Sequence, residues 1–331
     1  LDGKRREPCG FMLTVPKAFI LGAGLGTRLR PLTESLPKPL VPVWNRPLIS
    51  FGLDHLISEL EVKEFMINTH HCAEAYDIAF PKGGYSGTNL SFRHEPTLLD
   101  TAGGIDNIRD WLPTDVSSVI YNGDILTDLP LRSAWETHCD SDNLVTLLLR
   151  SEGDELRVGF DEGTGEVVDL RGQLRPDWEM RYQFTGIYFI SPRFLDFIRP
   201  GKIESVVLCF LEAIRQGEKV GGILVDEGLW TDLGERESYL DALKMPHEGF
   251  PRYAVDGGLE RIANTARIAN GVEIDDLSAI GSEVTIGEGA KIVESILWDG
   301  CEVAPNSRLK RTVVMGGLLA GGELENVDLQ I

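Results

Sequence analysis

Three glycines, each one residue from the next, stand at Gly22, Gly24 and Gly26, and cationic side chains follow at Arg28, Arg30 and Lys38. Glycine frees the backbone for positive φ and removes the Cβ that would hold an anion away from main-chain N–H groups. Arginine and lysine close behind can offset the charge that those N–H groups hold. The chemistry of the stretch Leu21-Gly-Ala23-Gly-Leu-Gly-Thr27 is therefore phosphate binding. A dinucleotide fingerprint would need glycine where Thr27 stands, with an acidic residue at the end of the second strand. A Walker loop would need Gly-Lys-Ser/Thr at its close. This stretch meets neither pattern.

Carboxylates come from two other places. Tyr121-Asn122-Gly123-Asp124 closes an apolar run, and Trp230-Thr231-Asp232-Leu233-Gly234 precedes a helical pattern through Tyr239 and Leu243. Asp124 has no cation beside it in sequence and stands at a strand end, which suits a divalent cation. Asp232 equally suits the N-cap of the helix that follows. His70 and His71 also follow a strand end, but no triad partner or metal spacing accompanies them, which makes them loop residues.

The elements that must position these groups alternate. Ala18–Leu21 reads as a buried strand, and a helix opens at Pro47 with Ile49, Leu53, Leu56, Ile57 and Leu60 at helical spacing. Strands follow over 62–68, 89–93, 116–121 and 144–149, with helices over 73–80, 104–111 and 131–138 between them. Strands alternating with helices over this length predict a three-layer α/β domain with a mostly parallel sheet, and ligands at the C-terminal strand ends. Later, Arg157–Phe160 and Glu166–Leu170 flank a turn sequence as a hairpin, Phe184–Ile190 is a strand and Ser205–Gln216 a helix. Residues 245–260 are linker-like in composition. Beyond them isoleucine recurs every six residues at 262, 268, 274, 280, 286 and 292. A small or apolar residue follows each by four. A six-residue period with three short strands per turn marks a parallel β-helix. About three coils are expected over 261–320. The predicted organisation is a patternless leader at 1–11, a main domain at 12–245, a linker at 246–260 and a β-helix at 261–331.

Bulk properties limit the partners. The 331 residues carry a formal net charge of −20, which argues against nucleic acid or an anionic membrane surface as partner. No apolar run approaches the roughly 18 residues of a membrane span. Five scattered cysteines without C-x-x-C pairing suit reduced thiols in a cytoplasmic protein.

G-x-G-x-G-T-R-L-x-P over Gly22–Pro31, followed by Pro37-Lys-Pro-Leu40, resembles the signature of the sugar-phosphate nucleotidyltransferases, with Gly22 where that family usually carries alanine. The N-G-D and W-x-D-x-G motifs are similar to those whose aspartates jointly hold Mg²⁺ in the family. The resemblance implies a Rossmann-like nucleotidyltransferase domain carrying a left-handed β-helix, with Arg28, Lys38, Asp124 and Asp232 as catalytic residues. It implies transfer of a nucleotidyl group from an NTP to a sugar 1-phosphate. Leu21, Gly22, Ala23, Gly24, Gly26 and Thr27 would bind the nucleotide. Glu95-Pro-Thr-Leu-Leu-Asp-Thr-Ala-Gly-Gly104 resembles the base-recognition segment, with Thr101, Ala102 and Gly103 giving the nucleoside a close backbone approach. A carboxylate at Glu95 accepts two hydrogen bonds, as guanine's N1–H and N2–H₂ edge offers. It equally reads as a solvated loop residue. Phe184-Thr-Gly-Ile-Tyr188 resembles the family's sugar-side strand, implying Asn122, Asp169, Thr185 and Gly186 as sugar contacts, although the family's E-K-P motif is missing. Mannose 1-phosphate with GTP is the expected pair. The alternatives are uridylyl or thymidylyl transfer to N-acetylmuramic acid 1-phosphate or glucose 1-phosphate, or a non-catalytic nucleotide-sugar sensor. An acyltransferase role for the β-helix is disfavoured because no histidine follows His247. The β-helix is expected to serve packing or homo-oligomerisation.

Overall fold

The structure, a computed structural model, describes residues 15–248 and 250–329; the leader expected at 1–11 lies outside them. Four apolar strands, β1 (Ala18–Leu21), β2 (Glu64–Thr69), β3 (Thr88–His94) and β4 (Ser118–Asn122), lie parallel in the order β4-β1-β2-β3. Successive side chains of a strand point to opposite faces, so each strand feeds two cores. Phe19, Met66 and Ile120 pack with α3 (Asp100–Asn107) and α5 (Val206–Arg215) on one face. Ile20, Ile67 and Tyr121 pack with α1 (Leu48–Leu60), α2 (Glu74–Ala79) and α4 (Arg132–Cys139) on the other. The result is the expected three-layer domain.

Past β4 the sheet changes character. After the short β5 (Ile125–Thr127) come β6 (Val145–Arg150), β7 (Leu156–Asp161), β8 (Glu166–Leu170), β9 (Tyr182–Ile190) and β10 (Val220–Leu224). The ten-stranded sheet runs β7-β8-β10-β6-β9-β4-β1-β2-β3, with Gly84–Tyr85 at the far edge. β9 is antiparallel to both β4 and β6. It follows the β7–β8 hairpin directly, without the crossover helix that a parallel neighbour would need. Only the half around β1 is therefore wholly parallel.

Helix α3 begins at Asp100, four residues ahead of the expected start, and takes both glycines into its turns. They are there for packing. A Cβ at Gly103 would lie 2.6 Å from the Lys202 carbonyl oxygen.

The C-terminal segment is a parallel β-helix whose three faces are four-stranded parallel sheets. Ile268 pairs with Ile286, and Ile286 with Val303, so the coil shortens from 18 to 17 residues after the first turn. The strict period of six is lost there, but the stacking continues through Leu329, one coil further than expected. Ile280, Ile286 and Ile292 fill the interior, whereas Ile262 and Ile268 at the open end are 40% and 42% exposed. A buried polar column runs alongside: Ser295 N–H donates to Ser278 Oγ at 3.1 Å, and Thr312 N–H to Ser295 Oγ at 3.1 Å.

The β-helix packs on the main domain through a shared cluster of Leu29, Leu32, Trp44, Leu240, Trp298 and Met315. Trp298 Nε1–H donates to Tyr239 Oη at 3.1 Å, and Tyr239 O–H donates to the Pro42 carbonyl at 2.7 Å. Arg236 on α6 (Arg236–Asp241) pairs with Asp328 at 2.8 Å. The connecting segment is docked as well: Tyr253 stacks on His55 at 4.8 Å between ring centroids, and Phe250 is buried. Trp298→Ala removes a large buried side chain from this junction, so it is expected to destabilise the chain by about 3–5 kcal/mol. Urea unfolding followed by tryptophan fluorescence measures this; a change below about 1 kcal/mol would contradict the packing described.

Candidate active site

Asp124 follows β4 and directly precedes β5. The strand β11 (Trp230–Asp232) pairs antiparallel with β5, placing Asp232 opposite Ile125 and Trp230 opposite Thr127. That register sets two carboxylates side by side from positions 108 residues apart in the chain. Lys38, in a 3-10 turn and only 5% exposed, lies between them. Its ammonium donates to Asp124 Oδ2 at 2.7 Å and to Asp232 Oδ1 at 2.9 Å. Arg28 Nη2 donates to the other Asp232 oxygen at 3.2 Å, with Glu235 3.6 Å from Nη1. The N-cap of α6 is Glu235, whose backbone N–H is held by Ser238 Oγ at 3.3 Å. Asp232 is thereby free of the capping role that the sequence also allowed.

The glycine loop wraps this cluster. Gly26 has φ 59 and lets the chain turn into the 3-10 segment of Arg28. Gly22 is required for a different reason. A Cβ there would sit 2.7 Å from the Asn68 carbonyl and 2.8 Å from the Tyr76 hydroxyl, so the family's usual alanine has no room. Tyr76 O–H donates to the Gly22 carbonyl at 3.0 Å, and burial pushes its ionisation well above the usual range, keeping it a neutral donor.

Two cavities open here. The first, about 480 Å³, is lined by Leu21, Ala23, Gly24, Gly26, Thr27, Lys38 and the edge of Thr101. The second, about 960 Å³, is lined by Thr185, Gly186, Trp230 and Asp232, with Arg150, Arg157 and Arg171 around its wall. Arg28, Asn122, Asp124 and Gly234 line both, so the chambers meet at the carboxylates.

Several sequence-predicted residues sit elsewhere. Ala102 and Gly103 point their N–H groups at the Glu204 carbonyl, at 2.9 and 3.4 Å, and do not line the first cavity; their close approach is to the 199–204 loop. Gly22 lies behind the cavity wall. Asp169 is fully buried and accepts from the N–H groups of Gln173, Leu174 and Arg175 at 2.7–3.1 Å, so it folds the loop after β8 and does not face the second cavity. Glu95, by contrast, does line the first cavity, and it is held there almost wholly buried, with Asn68 Nδ2–H donating to Oε1 at 2.7 Å and Leu99 N–H to Oε2 at 3.0 Å. It is therefore not the solvated loop carboxylate that its sequence neighbourhood allowed. His70 and His71 bond to the carbonyls of Glu95 and Glu34, as loop residues. Sequence reasoning missed Asn68, Leu98, Ile203 and the three arginines. Asn68 had a signal, a polar side chain near the end of an otherwise apolar strand.

Residues 17–248 match the nucleotidyl transferase family, and the chain belongs to that family. It is similar to a UTP–glucose-1-phosphate uridylyltransferase of Synechocystis sp., 26% identical over 95% of this chain and 91% of that one. It is also similar to a mannose-1-phosphate guanylyltransferase of Mycobacterium tuberculosis, 27% identical over 89% and 83%. In fold it matches a Bacillus anthracis chain described as a glucose-1-phosphate thymidylyltransferase, with a TM-score of 0.59 and 21% identity over 68% of this chain and 93% of that one.

Nucleotidyltransferases generally work with a divalent metal ion, and this donor set fits one. Asp124 and Asp232 offer hard oxygens converging on a point that already holds a cation, the Lys38 ammonium. Among the described residues no third protein ligand joins them, so phosphate oxygens or water would complete the shell. Among the same residues, no helix is long and apolar enough to cross a membrane, and Cys72, Cys139, Cys209 and Cys301 are all unpaired. Lys38→Met leaves the two carboxylates facing each other with only Arg28, on Asp232, to offset their charge. It is expected to cost about 1–3 kcal/mol, and millimolar divalent cation is expected to restore more of this than the same addition gives wild type. Thermal unfolding with and without the cation measures both; a variant as stable as wild type without it would contradict the arrangement.

Proposed function

We propose that this chain transfers a nucleotidyl group from an NTP to a sugar 1-phosphate, releasing pyrophosphate, with mannose 1-phosphate and GTP as the pair. The observation carrying the reaction is the meeting of two chambers at Asp124, Arg28 and Asn122. One chamber is edged by the glycine loop and the other is rich in arginine, as two phosphorylated substrates require. The choice of pair rests on the guanylyltransferases among the similar proteins. The Synechocystis relative gives glucose 1-phosphate with UTP as the second reading.

In this reading the triphosphate lies along Gly24–Thr27, and the sugar phosphate enters beside Thr185 and Gly186. The sugar phosphate oxygen bonds to the α-phosphorus as the bond to the bridging oxygen of pyrophosphate breaks. Arg28 and the loop N–H groups take up the charge that builds on the leaving group. Lys38 leaves the carboxylates and holds a phosphate oxygen, so its ammonium stays paired throughout. Asp124 and Asp232 would hold Mg²⁺, which when bound would supply the charge neutralisation that lets two polyanions approach. We place the catalytic domain at 12–245 and the β-helix at 261–331 in a cytoplasmic homo-oligomer. The exposed Ile262 and Ile268 at the open β-helix end support a subunit contact. Sedimentation of the full chain tests that contact, and a monomer at micromolar concentration would contradict it.

A matrix of NTPs against sugar 1-phosphates, read by pyrophosphate release, is expected to peak at GTP with mannose 1-phosphate. A peak at UTP with glucose 1-phosphate would select the second reading, and silence everywhere would refute the transfer. Asp124→Asn is expected to lower kcat about 10²–10³-fold with the fold intact by circular dichroism; near-normal turnover would remove Asp124 from the chemistry.

A further inference from the structure

Asp128 follows β5 and is only 5% exposed, yet it lines neither cavity. Both of its carboxylate oxygens are taken by main chain: Leu229 N–H donates to Oδ1 at 2.7 Å and Arg252 N–H to Oδ2 at 3.0 Å. Its own N–H donates to the Leu229 carbonyl at 3.1 Å. We infer that Asp128 is a positioning residue: it fixes the register of β11 on β5, and through that register the place of Asp232 beside Asp124. The inference deepens the site proposed above and rests on that reading for its cation arm alone.

β5 and β11 are three residues each, and a two-stranded ladder that short has little hold on its own register. A slip of one residue turns every side chain of a strand to the opposite face. Asp232 would then point away from Lys38, and the carboxylate pair would be lost. One end of the ladder is held by Leu233 N–H, which donates to the Asp124 carbonyl at 3.2 Å. The other end is held at Leu229, just before Trp230. Its N–H goes to the Asp128 side chain, and its carbonyl accepts from Asp128 N–H and, at 2.7 Å, from the Thr127 hydroxyl. Gly228 turns into this grip at φ 85. A slip in either direction would move that turn onto Glu227 or Leu229, where no glycine stands to make it.

The surroundings fit this grip closely. A Cβ on Gly228 would lie 2.7 Å from Asp128 Oδ1, so the turn has no room for a side chain. The Gly228 carbonyl accepts from Arg150 Nη1 at 3.1 Å, which holds the turn from the wall of the second cavity as well. Both donors to Asp128 are main-chain N–H groups, whose direction cannot be reversed, so the position calls for two acceptor oxygens. Arg252 belongs to the segment that joins the two domains, beside the Tyr253 that stacks on His55. Its guanidinium is exposed and 3.7 Å from Oδ2, so the main-chain bond is the stronger tie. Asp128 thus fastens the strand carrying Asp232 to β5 and to the docked connecting segment together.

Two variants test this, Asp128→Ala and Gly228→Ala. The first removes both acceptors. The second keeps the carboxylate and its charge but crowds Oδ1, so it separates the grip on Leu229 from any pull of Asp128 on a cation. In metal-free protein, hydrogen exchange by mass spectrometry is expected to quicken in peptides covering Leu229–Asp232, with those of β1 and β2 unchanged. Mn²⁺ affinity, followed by electron paramagnetic resonance with a saturating nonhydrolysable NTP, is expected to fall about tenfold in both variants. A general loss of stability would not move that affinity in the molecules that stay folded. Unchanged exchange over Leu229–Asp232 in Asp128→Ala would overturn the inference. So would an affinity kept within about twofold in both variants, or one lost in Asp128→Ala and kept in Gly228→Ala, which would reduce Asp128 to its charge. Gly228→Ala decides the matter by the same two readouts if Asp128→Ala does not fold. Should wild type bind no Mn²⁺ at all, the exchange result still judges the register, and only the site proposed above falls.

Discussion

A single ammonium between two carboxylates organises the site. Lys38 is almost wholly buried, and burying a charge is costly unless it is paired. Asp124 and Asp232 are each about a third exposed, so they face the cavities and Lys38 backs them from the protein side. Each partner arrives from a different part of the chain: a 3-10 turn, the exit of β4 and the end of β11. The glycine loop, the β5–β11 ladder and α6 all stand around that pairing. The same arrangement leaves an acidic pair ready for a divalent cation, although the chain as a whole carries a net charge of −20.

The rest of the architecture makes this convergence rigid. Exits of parallel strands gather along one edge, which is where an open α/β sheet binds ligands. Antiparallel β9 then brings Thr185 and Gly186 to the same edge, so a second chamber opens beside the first. Helix α6 begins four residues after Asp232 and is clamped by Asp328 of the β-helix, while Trp298 and Tyr239 tie that domain back to Pro42. The β-helix is thus bonded to the segment that carries one of the two carboxylates. Its packing on the main domain supports the geometry of the site directly.

Much of this was legible in the sequence, because some signals are local. Spaced glycines, a strand ending in N-G-D, and isoleucine every six residues each report a backbone requirement that few residue types can meet. What depended on long-range register was not legible. Asp124 looked free of cations because its partner Lys38 is distant in sequence, and only the β5–β11 ladder brings Asp232 to the same ammonium. Asp169 and Gly103 were assigned to ligands because carboxylates and glycines often serve them. The chain had already committed them to a loop and to a helix contact. Glu95 was legible as a cavity residue, but its bonds to Asn68 and Leu99 were not, because both donors come from other parts of the fold. The fourth coil escaped notice because a β-helix tolerates shorter coils that a strict period does not follow.

The central claim is that Asp124 and Asp232 act as one cation site, and its most direct test is a double-mutant cycle on Mn²⁺ affinity. Free Mn²⁺ would be followed by electron paramagnetic resonance in wild type, Asp124→Asn, Asp232→Asn and the double variant, each with a saturating nonhydrolysable NTP. If the two carboxylates share one ion, each single change weakens binding and the double variant is little worse than either, a strongly non-additive result. Additive losses, or an affinity untouched by one of the changes, would show that the carboxylates do not meet at a common ion.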